Sequence, residues 1–365
     1  MGQYTVVKQR RLAEGGFGFV DLVTDTNMRK DYVLKRCAVQ RPEDFEIISN
    51  EVKMLNRFKT TRIVQLHAYI VNEKAGTREA LLLLEYCEKG HLLDALLERN
   101  GSYFIISQVW RMFGQMCLAV KDLHDARPTY VVHRDLKLEN FLLRTDGSIV
   151  LCDFGSCVDG PVYIRNATER NAAEEIIQRQ TTQMYRAPEL VDLYMREELT
   201  LKSDIWALGC ILYTISFLVH PFQDQGSLAI LSDKIKIPAN SELGDGGEKL
   251  LRRMLDQDPE ARPTVDEAFE VAKALAQGQP VADIPFTEDA LKRKEERRQR
   301  AIRRENKKKA VTPVVPPRDP VGHAPDSVAA RRLRASGLPV PPPVTVAAAA
   351  VSQGEASLSF DFEAN

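Results

Sequence analysis

The chain has 365 residues, 44% of them hydrophobic, with 50 Lys and Arg against 51 Asp and Glu for a formal net charge of −1. That is enough apolar material for one large domain or two ordinary ones, and the balanced charge excludes a global field that would favour nucleic acid or acidic surfaces. The 6 cysteines, at 37, 87, 117, 152, 157 and 210, are scattered, with no CxxC pair and no His at metal-ligand spacing. This argues against a zinc site or a disulfide framework and suits a reducing compartment.

In chain order, the opening stretch MGQYTVVKQRRL lacks the apolar h-region of a secretory signal. Gly2 invites a myristoylation reading, but that motif needs Ser or Thr where Val6 stands. Short β-branched or apolar runs at 4–12, 17–25, 31–39, 63–71 and 80–87 read as strands. One helix interrupts them at 43–58, with Phe45, Ile48, Val52 and Leu55 at a spacing of three to four. After Gly90 the pattern turns mainly helical. A small β-rich lobe therefore precedes a larger α-rich one, and the cleft between two lobes is a common ligand site. The octet HRDLKLEN (133–140) lies between the apolar runs YVV and FLL and reads as a polar loop held rigidly at an edge. Residues 205–222 carry no Asp, Glu, Lys or Arg and approach the minimum spanning length. A helix buried on all sides fits them better, because Asp204 abuts the run, Gly209 interrupts it and Pro221 closes it. Beyond 278, a basic run (287–310) leads into a Pro-, Ala- and Val-rich stretch and the final SLSFDFEAN. A tail of this kind buries too little apolar surface to offset its ordering entropy, so disorder is expected beyond a solvated helix at 287–310.

Several motifs carry chemistry, each weak alone. LAEGGFGFV (12–20) is a Gly-rich turn between two strands, where Gly15 and Gly18 would let backbone N–H groups approach a polyphosphate. Lys35 ends the strand YVLK, and Glu51 sits on the helix in EVKML; isolated residues of these kinds usually face solvent. HRDLKLEN, LCDFGS (151–156), YRAPE (185–189) and SDIWALG (203–209) then follow. Taken in order, these seven features resemble the motif succession of eukaryotic protein kinases over residues 4 to about 275.

The resemblance implies an α+β bilobal fold. A kinase domain would span 1–278, with lobes at 1–87 and 88–278, a basic segment at 279–310 and a Pro/Ala-rich disordered tail at 311–365. It implies ATP and Mg²⁺ as cofactors. Lys35 would hold the α- and β-phosphates and Glu51 would orient Lys35, while Asp153 and Asn140 would ligate Mg²⁺ as hard oxygen donors. Asp135 would accept the proton of the substrate hydroxyl, with Lys137 steadying the γ-phosphate. Thr182 would bond the Asp135–Lys137 pair. His133 and Arg134 would be scaffold, Arg134 resembling the arginine that can pair with a phosphorylated activation segment. Glu189 would pair with Arg262, and Asp204 would anchor the loop. For the nucleotide, Leu84 would be the gatekeeper, and the Glu85 carbonyl and Cys87 amide would bond adenine. Ala13, Val20, Val33 and Leu143 would pack its faces. Ala13 replaces the first glycine of GxGxxG, a small departure. Cys152 would point into the pocket, most simply as a buried hydrophobe.

HRDLKxxN resembles serine/threonine rather than tyrosine kinases. LAEGGFGFV, LCDFGSC, the segment AAEEIIQRQTTQMYRAPELVDLY and SDIWALGCILYTISFLVHPF together resemble the Numb-associated kinase family. Its animal members are the adaptor-associated and cyclin-G-associated kinases. That likeness implies phosphorylation of threonine in clathrin-adaptor medium chains and other endocytic proteins, a cytoplasmic location at endocytic membrane sites, and an extra helix just after the APE segment. Pro313–Arg318, PVVPPR, fits the polyproline pattern that SH3 domains bind, although plain Pro-rich linkers share it. The basic run could contact anionic lipid, its plain alternative being a solvated helix. SLSFDFEAN vaguely resembles adaptor-appendage peptides. No nucleic-acid partner is expected. Other readings are a kinase of a cell-cycle or stress branch, and a catalytically idle scaffold; the intact Lys35, Asp135, Asn140 and Asp153 weigh against the scaffold.

Overall fold

The computed structural model describes residues 4–15, 18–74, 77–223, 226–232 and 235–281, then Lys292, Glu295, Gln299, 357–359 and 363–364. By contacts the chain divides into one unit of residues 1–294 with 357–365 and a second of 295–356; the fold below is that of the first.

The smaller lobe is a twisted antiparallel sheet of β1 (Thr5–Gly15), β2 (Gly18–Asp25), β3 (Asp31–Val39), β4 (Leu66–Lys74) and β5 (Thr77–Glu85), in the order β1-β2-β3-β5-β4. Period-2 alternation assigns each face. Tyr32 and Leu34 of β3 join Val6, Val23, Ala68, Leu81 and Leu83 in a small core on one side. Lys35 has the opposite parity, the side on which Cys37, Leu82 and Leu84 join the main core.

Helix α1 (Pro42–Arg57) packs on that second side. Pro42 at its first position suits the helix start, and the Asp44 carboxylate accepts from Arg41 N at 2.9 Å. Its buried face is Ile48, Glu51, Val52 and Leu55. Phe45, expected on that face, is instead 37% exposed, with the Arg78 guanidinium 5.4 Å above its ring. The strand expected from residue 63 starts only at Leu66. Ile63 and Val64 are instead buried against Leu151, whose carbonyl accepts from Val64 N at 2.9 Å.

The larger lobe contains α2 (Leu92–Leu97), α3 (Ile106–His124), β6 (Val131–Val132), β7 (Phe141–Leu143), β8 (Ile149–Leu151), β9 (Val158–Asp159), β10 (Val162–Tyr163), α4 (Ala167–Gln180), α5 (Pro188–Val191), β11 (Glu198–Leu199), α6 (Lys202–Phe217), α7 (Gly226–Ile230), α8 (Gly244–Met254) and α9 (Val265–Ala276). Three two-stranded ribbons, β6–β9, β7–β8 and β10–β11, hold the loops at the cleft. α6 is the central helix, buried at every residue from Ser203 to Ile215. No described helix is long and apolar enough to cross a membrane. Gly209 does not interrupt α6: a Cβ there would lie 2.9 Å from Leu255, so the glycine permits close approach to the end of α8. The helix stops before Pro221, at Leu218 in the left-handed region with φ 58°.

Two short segments of 311–365 are described, both on the edges of this sheet. β12 (Ser357–Ser359) pairs with β1, and β13 (Glu363–Ala364) pairs with β4. β1 and β4 are the outer strands of the five-stranded sheet, and their free N–H and C=O groups are a template for any extended segment. Residues 300–356, with the SH3-type stretch Pro313–Arg318, lie outside the described residues, as does most of the basic run.

Glu189 and Arg262 meet as a buried bidentate pair, both contacts at 2.7 Å. The guanidinium also donates to the Asp256 and Lys202 carbonyls. Arg262→Ala leaves Glu189 as an unpaired buried charge and should cost about 3–5 kcal/mol in urea unfolding. The double change Glu189→Leu/Arg262→Met should cost less, because no charge is left alone.

Candidate active site

Lys35 enters the cleft from β3. Its ammonium lies 2.8 Å from both carboxylate oxygens of Glu51 and 3.2 Å from Asp153 Oδ1. Glu51 is only 3% exposed, not solvated as a lone helix glutamate would be. Burial works against the Lys35 charge, but the Asp153 and Glu51 carboxylates outweigh it and hold its pKa well above the usual lysine range. The Lys35 ammonium in turn holds Asp153 below the usual carboxylate range, against the effect of burial. The site therefore presents a fixed cation beside a fixed anion.

The octet is a rigid loop between β6 and β7. From below, Asp204 at the start of α6 accepts from His133 N at 2.8 Å and Arg134 N at 2.9 Å, and His124 Nε2 lies 3.0 Å from it. His133 packs edge-on to Phe154, their centroids 5.4 Å apart. At the top, Asp135 Oδ1 accepts from Thr182 N at 2.8 Å and Thr182 Oγ1 at 2.7 Å. Asp135 Oδ2 accepts from Lys137 Nζ at 2.8 Å, and Lys137 also reaches Thr182 Oγ1 at 3.0 Å. Asn140 Nδ2 donates to the Asp135 carbonyl at 2.8 Å, which ties the end of the octet back to its middle. A cavity of about 250 Å³ is lined by Lys35, Glu51, Asp135, Lys137, Asp153 and Thr182.

The Gly-rich turn and the chain between the lobes form the rest of the cleft. Ala13 pairs with Val20 and Gly15 with Gly18. Gly18 has φ 133°, and a Cβ there would fall 1.9 Å from the Arg36 carbonyl, so only glycine fits. Nothing lies within 4 Å of a Cβ built on Gly15, which leaves that backbone open to a ligand. Val20 pairs with Lys35, and Val33 with Leu84, which is buried. The Glu85 side chain is held by Arg144 at 2.6 and 3.0 Å. Cys87 is buried, and its carbonyl accepts from Gly90 N. Leu143 N donates to Gly90 O, and Leu143 O accepts from Lys89 N. Leu142 and Leu143 point to opposite faces of β7, so the cleft floor takes one of the two. Burial, first, and the Asp153 charge push the Cys152 thiol well above the usual range, as befits a packed hydrophobe.

Several contacts had no signal in the sequence. Asn50, next to Glu51, donates to the Phe154, Gly155 and Cys157 carbonyls at 3.4, 3.2 and 2.9 Å. Arg179 pairs with Asp44 at 3.0 Å, joining α4 to α1. Arg134 donates to Ser156 O at 2.6 Å and Gln180 Oε1 at 2.8 Å. The extra helix expected after the APE segment is not there: α5 ends at Val191, and the chain turns into β11. The long helix is α4, before that segment, started by the Asn166 side chain accepting from Glu169 N. Its alternation of small and charged residues, with little apolar periodicity, hid it.

Two lobes, a Gly-rich turn, and a half-buried lysine facing a loop-borne aspartate and asparagine define a protein of the protein kinase type. The family model for the protein kinase domain matches residues 6–272, and the chain belongs to that family. It is 38% identical over 285 residues to a probable serine/threonine-protein kinase of Dictyostelium discoideum, covering 77% of this chain and 25% of that protein. A second such kinase of the same organism is 39% identical over 268 residues, 72% of this chain and 33% of that one. The serine/threonine-protein kinase ppk30 of Schizosaccharomyces pombe is 31% identical over 290 residues, 77% and 30% respectively. The chain thus spans a quarter to a third of the length of these relatives.

Protein kinases use ATP and Mg²⁺, and the residues present fit both. With Asn140 Nδ2 committed to the loop, its Oδ1 is left as a hard acceptor. Asp153, with φ 63°, leaves 44% of its side chain open in the cleft. Among the described residues no group of three or more His, Cys, Asp or Glu is gathered for a metal. Mg²⁺ takes few protein ligands and keeps waters and substrate phosphates, so two hard oxygen donors such as Asn140 and Asp153 fit it. Bound there, the ion would offset phosphate charge.

Thr182→Ala removes the hydroxyl bond that aims Asp135, and should lower kcat about tenfold to a hundredfold, with the KM for ATP unchanged. Thr182→Ser should keep most of the rate. Because a neutral amide already satisfies Arg134, phosphatase-treated protein should turn over at the untreated rate; a large loss would show that a phosphate is needed.

Proposed function

We propose that this chain is a protein serine/threonine kinase that transfers the γ-phosphoryl group of Mg-ATP to a protein hydroxyl. The observation that carries this is Asp135, a nearly buried carboxylate fixed by three hydrogen bonds from Thr182 and Lys137. A carboxylate so fixed accepts the proton of an incoming hydroxyl without first reorganising, while Lys35 and Lys137 meet the charge of the phosphates. The names of the relatives and the Lys137–Thr182 contact support Ser/Thr as acceptor.

We further propose an endocytic role, with threonines of clathrin-adaptor medium chains as substrates and the protein peripheral at endocytic membrane sites. The support is the likeness of LAEGGFGFV, LCDFGSC and the TTQMYRAPELVDLY segment to Numb-associated kinases. Pro313–Arg318 as an SH3 ligand and the basic run as a lipid contact belong to the same reading.

In a Mg-ATP transfer assay, Asp135→Asn should cut kcat by about 10²–10⁴-fold with nucleotide affinity intact, and Asp153→Ala should abolish Mg-dependent transfer. Equal rates for the wild type and both variants would sink the site assignment. In a peptide-library screen, preference for threonine-centred adaptor sequences supports the endocytic reading. Indifference to them favours a kinase of a cell-cycle or stress branch.

A further inference from the structure

The mechanism leaves unused an open cavity of about 550 Å³ between α1, α4 and the β9–β11 region. Its walls are mainly apolar: Ile47 from α1, Val158 of β9, Val162 of β10, and Ile176 and Ile177 from α4. Ile176 is 42% exposed, a large β-branched side chain left facing solvent at the groove. Glu43 and Glu46 on α1 and Glu175 on α4 also line it, all exposed. None of the three carboxylates is paired with a cation among the described residues. The arginines that line the groove are already engaged, Arg179 with Asp44 and Arg134 with Ser156 and Gln180. The free charge at the groove is therefore negative on both walls.

We propose that this groove is the docking site for a basic amphipathic helix of a partner protein. Apolar side chains at i, i+3, i+4 and i+7 of such a helix would fill the trough, and flanking Lys and Arg would meet Glu43, Glu46 and Glu175. Charge selects this occupant: the same rim repels anionic lipid and nucleic acid. An occupant touching both walls also acts on catalysis. α1 carries Glu51 on its inner side, and α4 ends next to Thr181 and Thr182. Holding the two helices together favours the Lys35–Glu51 pair and the Asp135–Thr182 bonds, so docking raises activity. The inference is independent of which protein is phosphorylated.

The probe is a stapled helix of about 15 residues with leucines at i, i+3, i+4 and i+7 and lysines elsewhere. A control peptide carries glutamates in place of the lysines. By fluorescence anisotropy the full chain should bind the lysine peptide saturably, more weakly as salt rises. Binding should weaken at least about tenfold in Glu43→Lys/Glu46→Lys/Glu175→Lys, a variant whose nucleotide affinity shows that it is folded. Hydrogen exchange should slow at 43–50 and 172–180, and kcat/KM should rise severalfold. No saturable binding, or equal binding by the charge-reversed variant, overturns the proposal. So does self-association in sedimentation that the charge reversal abolishes, which would make the occupant a second copy. Carbodiimide cross-links from these glutamates to the chain's own lysines between 292 and 309 in the monomer would likewise overturn it.

Discussion

One half-buried ammonium group organises the molecule. Lys35 belongs to β3, Glu51 to α1 and Asp153 to the turn after β8, and the three meet within 3.2 Å. Moving α1 by one turn would leave Glu51 as an unpaired buried charge, at a cost of several kcal/mol. α1 is therefore held in register by the charge it carries. Asn50 adds three donations to the backbone after Asp153, so the helix and the metal-facing turn move as one body. The positions of the sheet, the helix and the large lobe follow from a pair that is stable only when all three are in place.

A second buried carboxylate does the same for the loop. Asp204 is 1% exposed and accepts two backbone N–H bonds from His133 and Arg134. Burial raises its pKa, but the hydrogen bond and charge of His124 outweigh that and hold it below the usual carboxylate range. These bonds let Arg134 keep φ 67°, a conformation that few non-glycine residues adopt unaided. The strained backbone aims Asp135 upward, and Thr182 closes over it. Anchor, strained turn and working carboxylate form a single column from α6 to the cleft.

This also explains what the sequence revealed. The residues that the motif order singles out stand in a fixed succession, and the structure brings Lys35, Glu51, Asp135, Lys137, Asp153 and Thr182 around one cavity, with Asn140 bonded to the Asp135 carbonyl. Strands were legible by alternation, although Ile63 and Val64 look like strand residues and are apolar only because β8 covers them. Phe45 fitted the apolar stripe of α1 yet stayed outside, since periodicity cannot tell a core face from the shoulder beside it. Gly209 read as a break because the sequence does not show how closely α8 approaches. α4 was hidden because Ala173 and Ile177 alone among its residues are buried, too few to make an apolar stripe, and polar contacts such as Arg179 to Asp44 hold the rest. The two tail strands depend on free sheet edges that no local pattern announces.

The closure of the segment before YRAPE has consequences of its own. Arg134 meets a neutral amide and a carbonyl, and Ser156 Oγ donates to Gln180 O at 2.6 Å. Such contacts, unlike an arginine–phosphate pair, need no added charge and are little affected by salt. The hydroxyls of Thr181 and Thr182 are both engaged. Thr181 Oγ1 donates to Ile177 O and accepts from Arg186, while Thr182 serves Asp135. A phosphoryl group on either would break the contact that shapes the site. The placement of α4 is a route to the segment that leaves both contacts intact. That helix meets α1 through the Arg179–Asp44 pair and faces it across the apolar groove beside it, so the groove is where a small change in packing would be felt at Asp135.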